Sequence, residues 1–222
     1  FIKDYDGPQA AIEGSLERLG LDYIDLMIIH APQPWTNFRE DDHYFEGNLA
    51  AWCAMEKAYK AGRLRAIGVS NFQQVDIENL MQNGDVKPMV NQILAHVSNT
   101  PFPLIDYCHK HDILVEAYSP MGHGEMMKNT RVQDMAKQYG VSVAQLCIRY
   151  CLQLNMLPLP KTANPEHMES NADVNFEISA QDMETLKNAE RIKNYGDASL
   201  FPVYGGKMDK EGNCVPRDFF NE

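Results

Sequence analysis

The sequence has no apolar run approaching the length of a membrane span and no charged-then-apolar leader, so neither a membrane partner nor an export address is expected. It is poor in positive charge: 20 Lys and Arg against 31 Asp and Glu leave a formal net charge of -11. The summed field repels phosphate backbones, which excludes a general nucleic-acid binder while leaving room for an anionic cofactor held by locally placed cations. The five cysteines, Cys53, Cys108, Cys147, Cys151 and Cys214, are odd in number and form no C-x-x-C. That argues against a disulfide framework and a zinc ribbon, and fits a reducing cytoplasm. Cys147 and Cys151, four apart in an apolar run, share a helix face and read as buried core thiols.

What is present is enough for one sizeable core: 222 residues, 44% hydrophobic. Residues 8 to 19 read as a helix, with Pro8 in its first turn, Ile12, Leu16 and Leu19 on one face and Gly20 to stop it. Tyr23 to Ile29 is nearly continuous in apolar residues, the mark of a parallel strand buried on both faces, and ends in His30. The unit recurs. Helix 48 to 61 leads to strand 64 to 69, which ends in Ser70-Asn71. Helix 74 to 82 leads to strand 89 to 94, with Gln92, and helix 103 to 111 to strand 113 to 118. Helices 131 to 139 and 142 to 154 precede strand 156 to 159, which runs into Pro160-Lys161-Thr162.

Strict strand and helix alternation predicts parallel α/β architecture, as an open doubly wound sheet or a (β/α)8 TIM barrel. His30, Ser70, Asn71, Gln92, Tyr118, Ser119, Lys161 and Thr162 all fall at or near C-terminal strand ends, on several strands at once. Barrel enzymes build their sites that way, whereas an open sheet concentrates its ligand groups at one crevice. The barrel is therefore expected, with about five β/α units (strands 4 to 8) present and the three others, on the order of 80 to 100 residues, upstream. The chain opens with Phe1 rather than Met. Residues 1–194 are expected to form the partial barrel. Residues 195–222, rich in Gly, Pro and charge, are expected to form an extended tail over its mouth.

The ordered series Gly20-Leu21-Asp22-Tyr23-Ile24-Asp25-Leu26, Ile28-Ile29-His30, Ile67-Gly68-Val69-Ser70-Asn71-Phe72, Asn91-Gln92, Ala117-Tyr118-Ser119-Pro120 and Leu159-Pro160-Lys161-Thr162 resembles the aldo-keto reductase family from about residue 8 to about 190. The resemblance implies an NADP(H)-dependent oxidoreductase, with NAD(H) as an alternative cofactor, that reduces a small aldehyde or ketone to the alcohol. His30 matches the histidine of the family's Asp, Tyr, Lys and His tetrad and would hydrogen-bond the substrate carbonyl oxygen, where donors aimed at developing charge are needed. The tetrad's Asp, Tyr and Lys belong to the first three barrel strands, so the chain is expected to be catalytically incomplete. Lys3 and Tyr5 lie in a polar stretch and are not assigned to these roles.

By the same resemblance, Ser70, Asn71 and Gln92 bind the nicotinamide carboxamide and Tyr118 stacks on the ring. Ser119, Pro120, Met121 and Gly122 form the loop beside the pyrophosphate, and Lys161 and Thr162 meet the phosphates of the adenosine half. Asn171 and His167 complete the cofactor set. Two departures matter. Ala31 follows the histidine where many relatives place Trp, and Trp35 stands four further on, so these two are expected to line a wider substrate pocket. His167 stands where many NADP-preferring relatives have Arg, and an imidazole cannot make the bidentate clamp of a guanidinium.

Two other readings compete. The first is a barrel that holds NADP without turnover and acts as a sensor or partner-binding subunit; a tyrosine and lysine on upstream strands would favour the enzyme, their absence the sensor. The second is a metal-dependent hydrolase, disfavoured because the visible strand ends offer one histidine and no carboxylate partner; no metal site is expected. His109-Lys110-His111 lies where a helix enters a strand, away from those ends, and reads as a solvated connection. His96 is open between lining the site and capping its strand, and the oligomeric state has no signature.

Overall fold

The computed structural model describes residues 6–215; Lys3 and Tyr5, and the tail from 216 on, lie outside them. Five strands pair in parallel in sequence order: β1 (Met27–Ile29), β2 (Ile67–Ser70), β3 (Val90–Leu94), β4 (Leu114–Tyr118) and β5 (Met156–Leu159). Helices α1 (Asp6–Leu19), α2 (Phe45–Lys60), α3 (Gln74–Asn83) and α4 (Phe102–Lys110) alternate with the strands. α5 (Thr130–Gln138) and α6 (Val143–Gln153) precede β5, and α7 (Pro165–Ala172) and α8 (Ala180–Lys187) follow it. This is the α/β architecture with a parallel sheet that the alternation predicts. No described helix is long and apolar enough to cross a membrane.

The chain divides into two compact units. The first comprises residues up to Gln92 together with Pro103–Leu114. Its core gathers Ile12 and Leu16 of α1, Trp52 and Met55 of α2, Ile67 and Val69 of β2, and Ile77 and Leu80 of α3, all buried. Trp52 is fully covered and donates its Nε1–H to the Val86 carbonyl at 2.8 Å, so its one polar group is satisfied. Glu56, a turn further on, is also buried and accepts the N–H groups of Asp85 and Val86, both at 2.7 Å, which anchors the turn before β3. Glycine at 68 is a packing requirement: a Cβ there would lie 2.8 Å from the Val90 carbonyl oxygen and 2.9 Å from Val90 Cβ, so β2 and β3 approach closely only without it.

The second unit comprises Ile93–Phe102 and the residues from Val115 on. Leu146, Cys147, Tyr150 and Cys151 of α6 pack with Val115, Ala117, Met156 and Ile178 in its core. The two cysteines are free, and burial pushes both thiols up, Cys151 to about 12. They are inert core groups, as their spacing on one helix face suggests. Tyr150 is buried with its hydroxyl 2.8 Å from Thr100 Oγ1. Caps fix the helix starts: Ser142 and Gln145 form a reciprocal capping box on α6, and Asn164 Oδ1 accepts from Glu166 N–H at 3.0 Å ahead of α7, which has Pro165 in its first turn.

Two expectations differ from the structure. The strand expected over 23 to 29 is regular only from Met27; upstream, a single bridge joins Ile24 to Leu64 and Tyr23 is 43% exposed. The stretch from 195, expected to be extended, folds into two 3-10 turns (Gly196–Leu200 and Pro202–Tyr204) and a short antiparallel pair, Lys207–Met208 with Cys214–Val215.

Candidate active site

In the first unit the expected site residues sit at the C-terminal ends of β1 and β2 and in the middle of β3. His30 directly follows β1, Ser70 closes β2 with Asn71 after it, and Gln92 lies within β3. A hydrogen-bond network joins them. Ser70 Oγ donates to the Gln92 carbonyl at 2.9 Å and Asn71 N–H to the same oxygen at 2.9 Å. Asn71 Nδ2 donates to the His30 carbonyl at 3.1 Å and meets Ser70 Oγ at 3.1 Å. Ser70 and Asn71 are buried, and Asn71 adopts a left-handed backbone (φ 62°), which asparagine tolerates better than most residues. Next to Gln92, Asn91 turns its amide away and donates to the Phe72 carbonyl at 3.1 Å, which fixes the chain just past β2.

His30 is exposed and meets Trp35 edge-on, ring centroids 5.2 Å apart at 76°. Ala31 beside it is buried. His30, Ala31, Trp35 and Tyr44 help to line an apolar cavity of about 320 Å³, completed by residues of α1, β1 and α2 such as Ile12, Ile28 and Met55. The two residues expected at a substrate pocket, Ala31 and Trp35, thus share one cavity wall with His30.

The loop that carries Trp35 is held by a residue the sequence does not single out. Gln33 is buried, donates to the Glu40 and Asp42 carbonyls at 2.6 and 2.8 Å, and accepts from Arg39 N–H at 2.8 Å. Arg39 in turn donates to the Asn71 carbonyl at 3.0 Å, linking this loop to the end of β2. His43 pairs with the buried Asp76 at 2.9 Å, and Asp76 also accepts the Gln73 N–H at the start of α3. A glutamine in a loop carries no periodic or capping signal, so these roles appear only in three dimensions.

In the second unit Tyr118 closes β4 and Ser119 follows with φ 52°. Pro120 is buried, as is Gly122, whose φ is 56°. Ser119 Oγ lies 2.6 Å from the hydroxyl of Tyr204. His96, open from sequence alone, is fully buried: its Nε2 is 2.9 Å from Tyr195 Oη, and its Nδ1 accepts Ser98 N–H at 3.3 Å. Burial, aided by the Arg191 charge, pushes this imidazole down to about 4, and burial pushes the Tyr195 phenol up to about 12. Lys161 is exposed two residues beyond β5, and Thr162 Oγ1 accepts Asn164 N–H at 3.1 Å. His167 is exposed in the first turn of α7 and Asn171 is half-buried in its last. Among the described residues no group of three or more His, Cys, Asp or Glu could hold a metal ion. Of the H-x-H pair, His111 Nδ1 meets the Tyr107 carbonyl at 2.8 Å.

With five parallel strands tipped by these groups, the family profile of aldo/keto reductases matches residues 5–191. The chain belongs to the aldo/keto reductase family. It is 40% identical over 201 residues to the glyoxal reductase of Bacillus subtilis, covering 89% of this chain and 69% of that protein. It is 35% identical over 206 residues to the aldehyde reductase YPR1 of Saccharomyces cerevisiae, covering 83% and 66%. Among solved structures, a Bombyx mori aldo-keto reductase in complex with NADP superposes with a TM-score of 0.74 at 30% identity, covering 89% of this chain and 67% of that one. The chain therefore spans about two thirds of the length of these family members.

Proposed function

We propose that this aldo-keto reductase chain serves NADP(H)-dependent reduction of aldehydes or ketones, with His30 as the group that orients the substrate carbonyl. The observation that carries the reading is the Asn71 side chain, which bonds at once to the main-chain carbonyl of His30 and to Ser70 Oγ, so that the backbone bearing the histidine is tied to the residues read as carboxamide-binding. When bound, the dinucleotide supplies the hydride. The residue types present fit such a group: the end of β2 and the middle of β3 carry amide and hydroxyl side chains on rigid elements, the kinds of group that a carboxamide, which both donates and accepts, calls for.

Ser70, Asn71 and Gln92 hold the carboxamide, and Tyr118 presents its ring to the nicotinamide face. Ser119 to Gly122 border the diphosphate, while Lys161, Thr162, His167 and Asn171 serve the adenosine half. NADP(H) is favoured because Lys161 places a cation beyond β5 and because the B. mori relative was solved with NADP. The apolar wall shared by Ala31, Trp35 and His30 suits a small carbonyl compound with a hydrocarbon part. The aspartate, tyrosine and lysine of the tetrad come, in this reading, from three barrel strands ahead of β1. The basis is five parallel strands here against eight in a closed barrel.

The test is His30→Ala in a polypeptide that carries those strands. It lowers kcat/KM for an aldehyde by about a hundredfold or more while NADPH affinity stays within about twofold. An equal loss of NADPH binding would make His30 structural. The 222-residue chain alone is expected to lack reductase activity, since in this reading the proton donor lies on a strand ahead of β1, and steady NADPH oxidation with an aldehyde would overturn that part.

A further inference from the structure

The loop after β4 is held in a demanding conformation. Ser119, Gly122, His123 and Gly124 all have positive φ, at 52°, 56°, 53° and 93°. For Ser119 and His123, which carry a Cβ, such geometry persists only where the surroundings over-determine it, and it concentrates at ligand sites. The supports are visible. A Cβ on Gly122 would lie 3.2 Å from His96 Cε1, so the loop rests on the buried imidazole. Because His96 Nδ1 accepts the Ser98 N–H, its proton is on Nε2 and is donated to Tyr195 Oη. The Tyr195 ring packs against Tyr204, centroids 4.8 Å apart, and Tyr204 meets His123 edge-on at 5.5 Å. Its hydroxyl then reaches Ser119 Oγ at 2.6 Å, across 85 residues of sequence.

We infer that Tyr204 is a positioning residue for the dinucleotide's diphosphate: its phenol donates to Ser119 Oγ and leaves the serine proton free to point at a phosphate oxygen. The inference rests on the reading above that Ser119 borders the diphosphate. A phosphate oxygen only accepts, so the serine must donate to it, and its hydroxyl has one proton to give. A neighbour that accepted from Ser119 would compete for that proton; a neighbour that donates removes the conflict and polarises the serine O–H toward the anion. A phenol O–H is a stronger donor than an aliphatic one, and the short separation fits this polarity. The rings of Tyr195 and His123 hold the phenol in place, so the ordering is already made before any ligand arrives.

The experiment, in a polypeptide that carries the strands ahead of β1, compares the wild type, Tyr204→Phe, Ser119→Ala and the double variant for binding of NADPH, NADH and 2'-AMP, with melting temperatures in parallel. Tyr204→Phe keeps both ring contacts. It is expected to weaken NADPH and NADH alike by about three- to tenfold, the scale of one neutral hydrogen bond. Binding of 2'-AMP, which has no diphosphate, should be unchanged, and the double variant should bind no worse than Ser119→Ala. Tyr204→Phe equal to wild type while Ser119→Ala is weakened would overturn the positioning role and leave the cofactor reading standing. An equal loss of 2'-AMP would make Tyr204 a structural prop and also overturn it. A wild-type protein carrying those strands that binds neither dinucleotide would sink the cofactor reading and the inference with it. Ser119→Ala that binds as wild type would overturn the inference through its premise that Ser119 borders the diphosphate.

Discussion

Asn71 donates its side-chain amide to the main-chain carbonyl of His30 at 3.1 Å, a bond between the ends of β2 and β1 made by a residue whose own backbone is left-handed. Asparagine suits the position twice: its side chain carries a donor, and its φ of 62° is tolerated. Asn71→Asp keeps the shape and the backbone preference but turns the donor into an acceptor facing a carbonyl oxygen. It is expected to weaken dinucleotide binding by on the order of tenfold and to lower the melting temperature, both readable by titration and thermal denaturation. Unchanged affinity would show that Asn71 is a structural tie only.

Gly68→Ala acts on the same region from within the sheet. The added Cβ cannot sit 2.8 Å from the Val90 carbonyl, so β2 and β3 must part. Overpacking of this kind costs about 1 to 3 kcal/mol, which for a chain of this size lowers Tm by on the order of 5 °C. Because Ser70, Asn71 and Gln92 are bonded across these two strands, NADPH affinity should fall as well. A loss of stability with full affinity would separate the strand spacing from the site.

His96 sets an acid limit on stability. Its folded value is lowered from 6.5 to about 4, so between those pH values the unfolded chain takes up a proton that the folded chain refuses. Stability conferred by the neutral imidazole is present above pH 6.5 and is lost as pH falls toward 4, on the order of 2 kcal/mol by pH 5. Melting temperatures at pH 7.5 and 5.0 should show the drop. His96→Gln, less stable at neutral pH, should lose much less on acidification; an identical drop in both proteins would assign it to other groups.

His167→Arg tests cofactor choice. A guanidinium in the first turn of α7 can form a charge-assisted pair with a 2'-phosphate, worth roughly 1.5 to 3 kcal/mol or about one to two decades of affinity. The NADPH/NADH ratio of dissociation constants should move by that much toward NADPH. No change would mean that position 167 does not face the 2'-phosphate.

The sequence by itself determined the alternation of strand and helix and the family, because burial of a parallel strand writes a continuous apolar run, and helix faces and caps write their own spacing. It also marked His30, Ser70, Asn71, Gln92, Tyr118 and Lys161, since polar residues that end buried strands stand out against apolar neighbours. The helices α7 and α8 go unread in the sequence, their apolar period being weak, although Asn164 and Pro165 turn out to cap and open α7. Only the tertiary structure decided where β1 becomes regular: Ile24 exchanges hydrogen bonds with Arg63 and Arg65, and the ladder resumes at Met27 with Ala66, a register that depends on the partner strand. The same is true of Gln33 at the heart of its loop, and of the pairs His96 with Tyr195 and Ser119 with Tyr204, 99 and 85 residues apart. Those contacts join side chains that no local period relates. They exist because the chain from 195 on folds into tight turns that bring two phenols to the segments after β3 and β4, where their hydroxyls find partners in a buried imidazole and a strained serine.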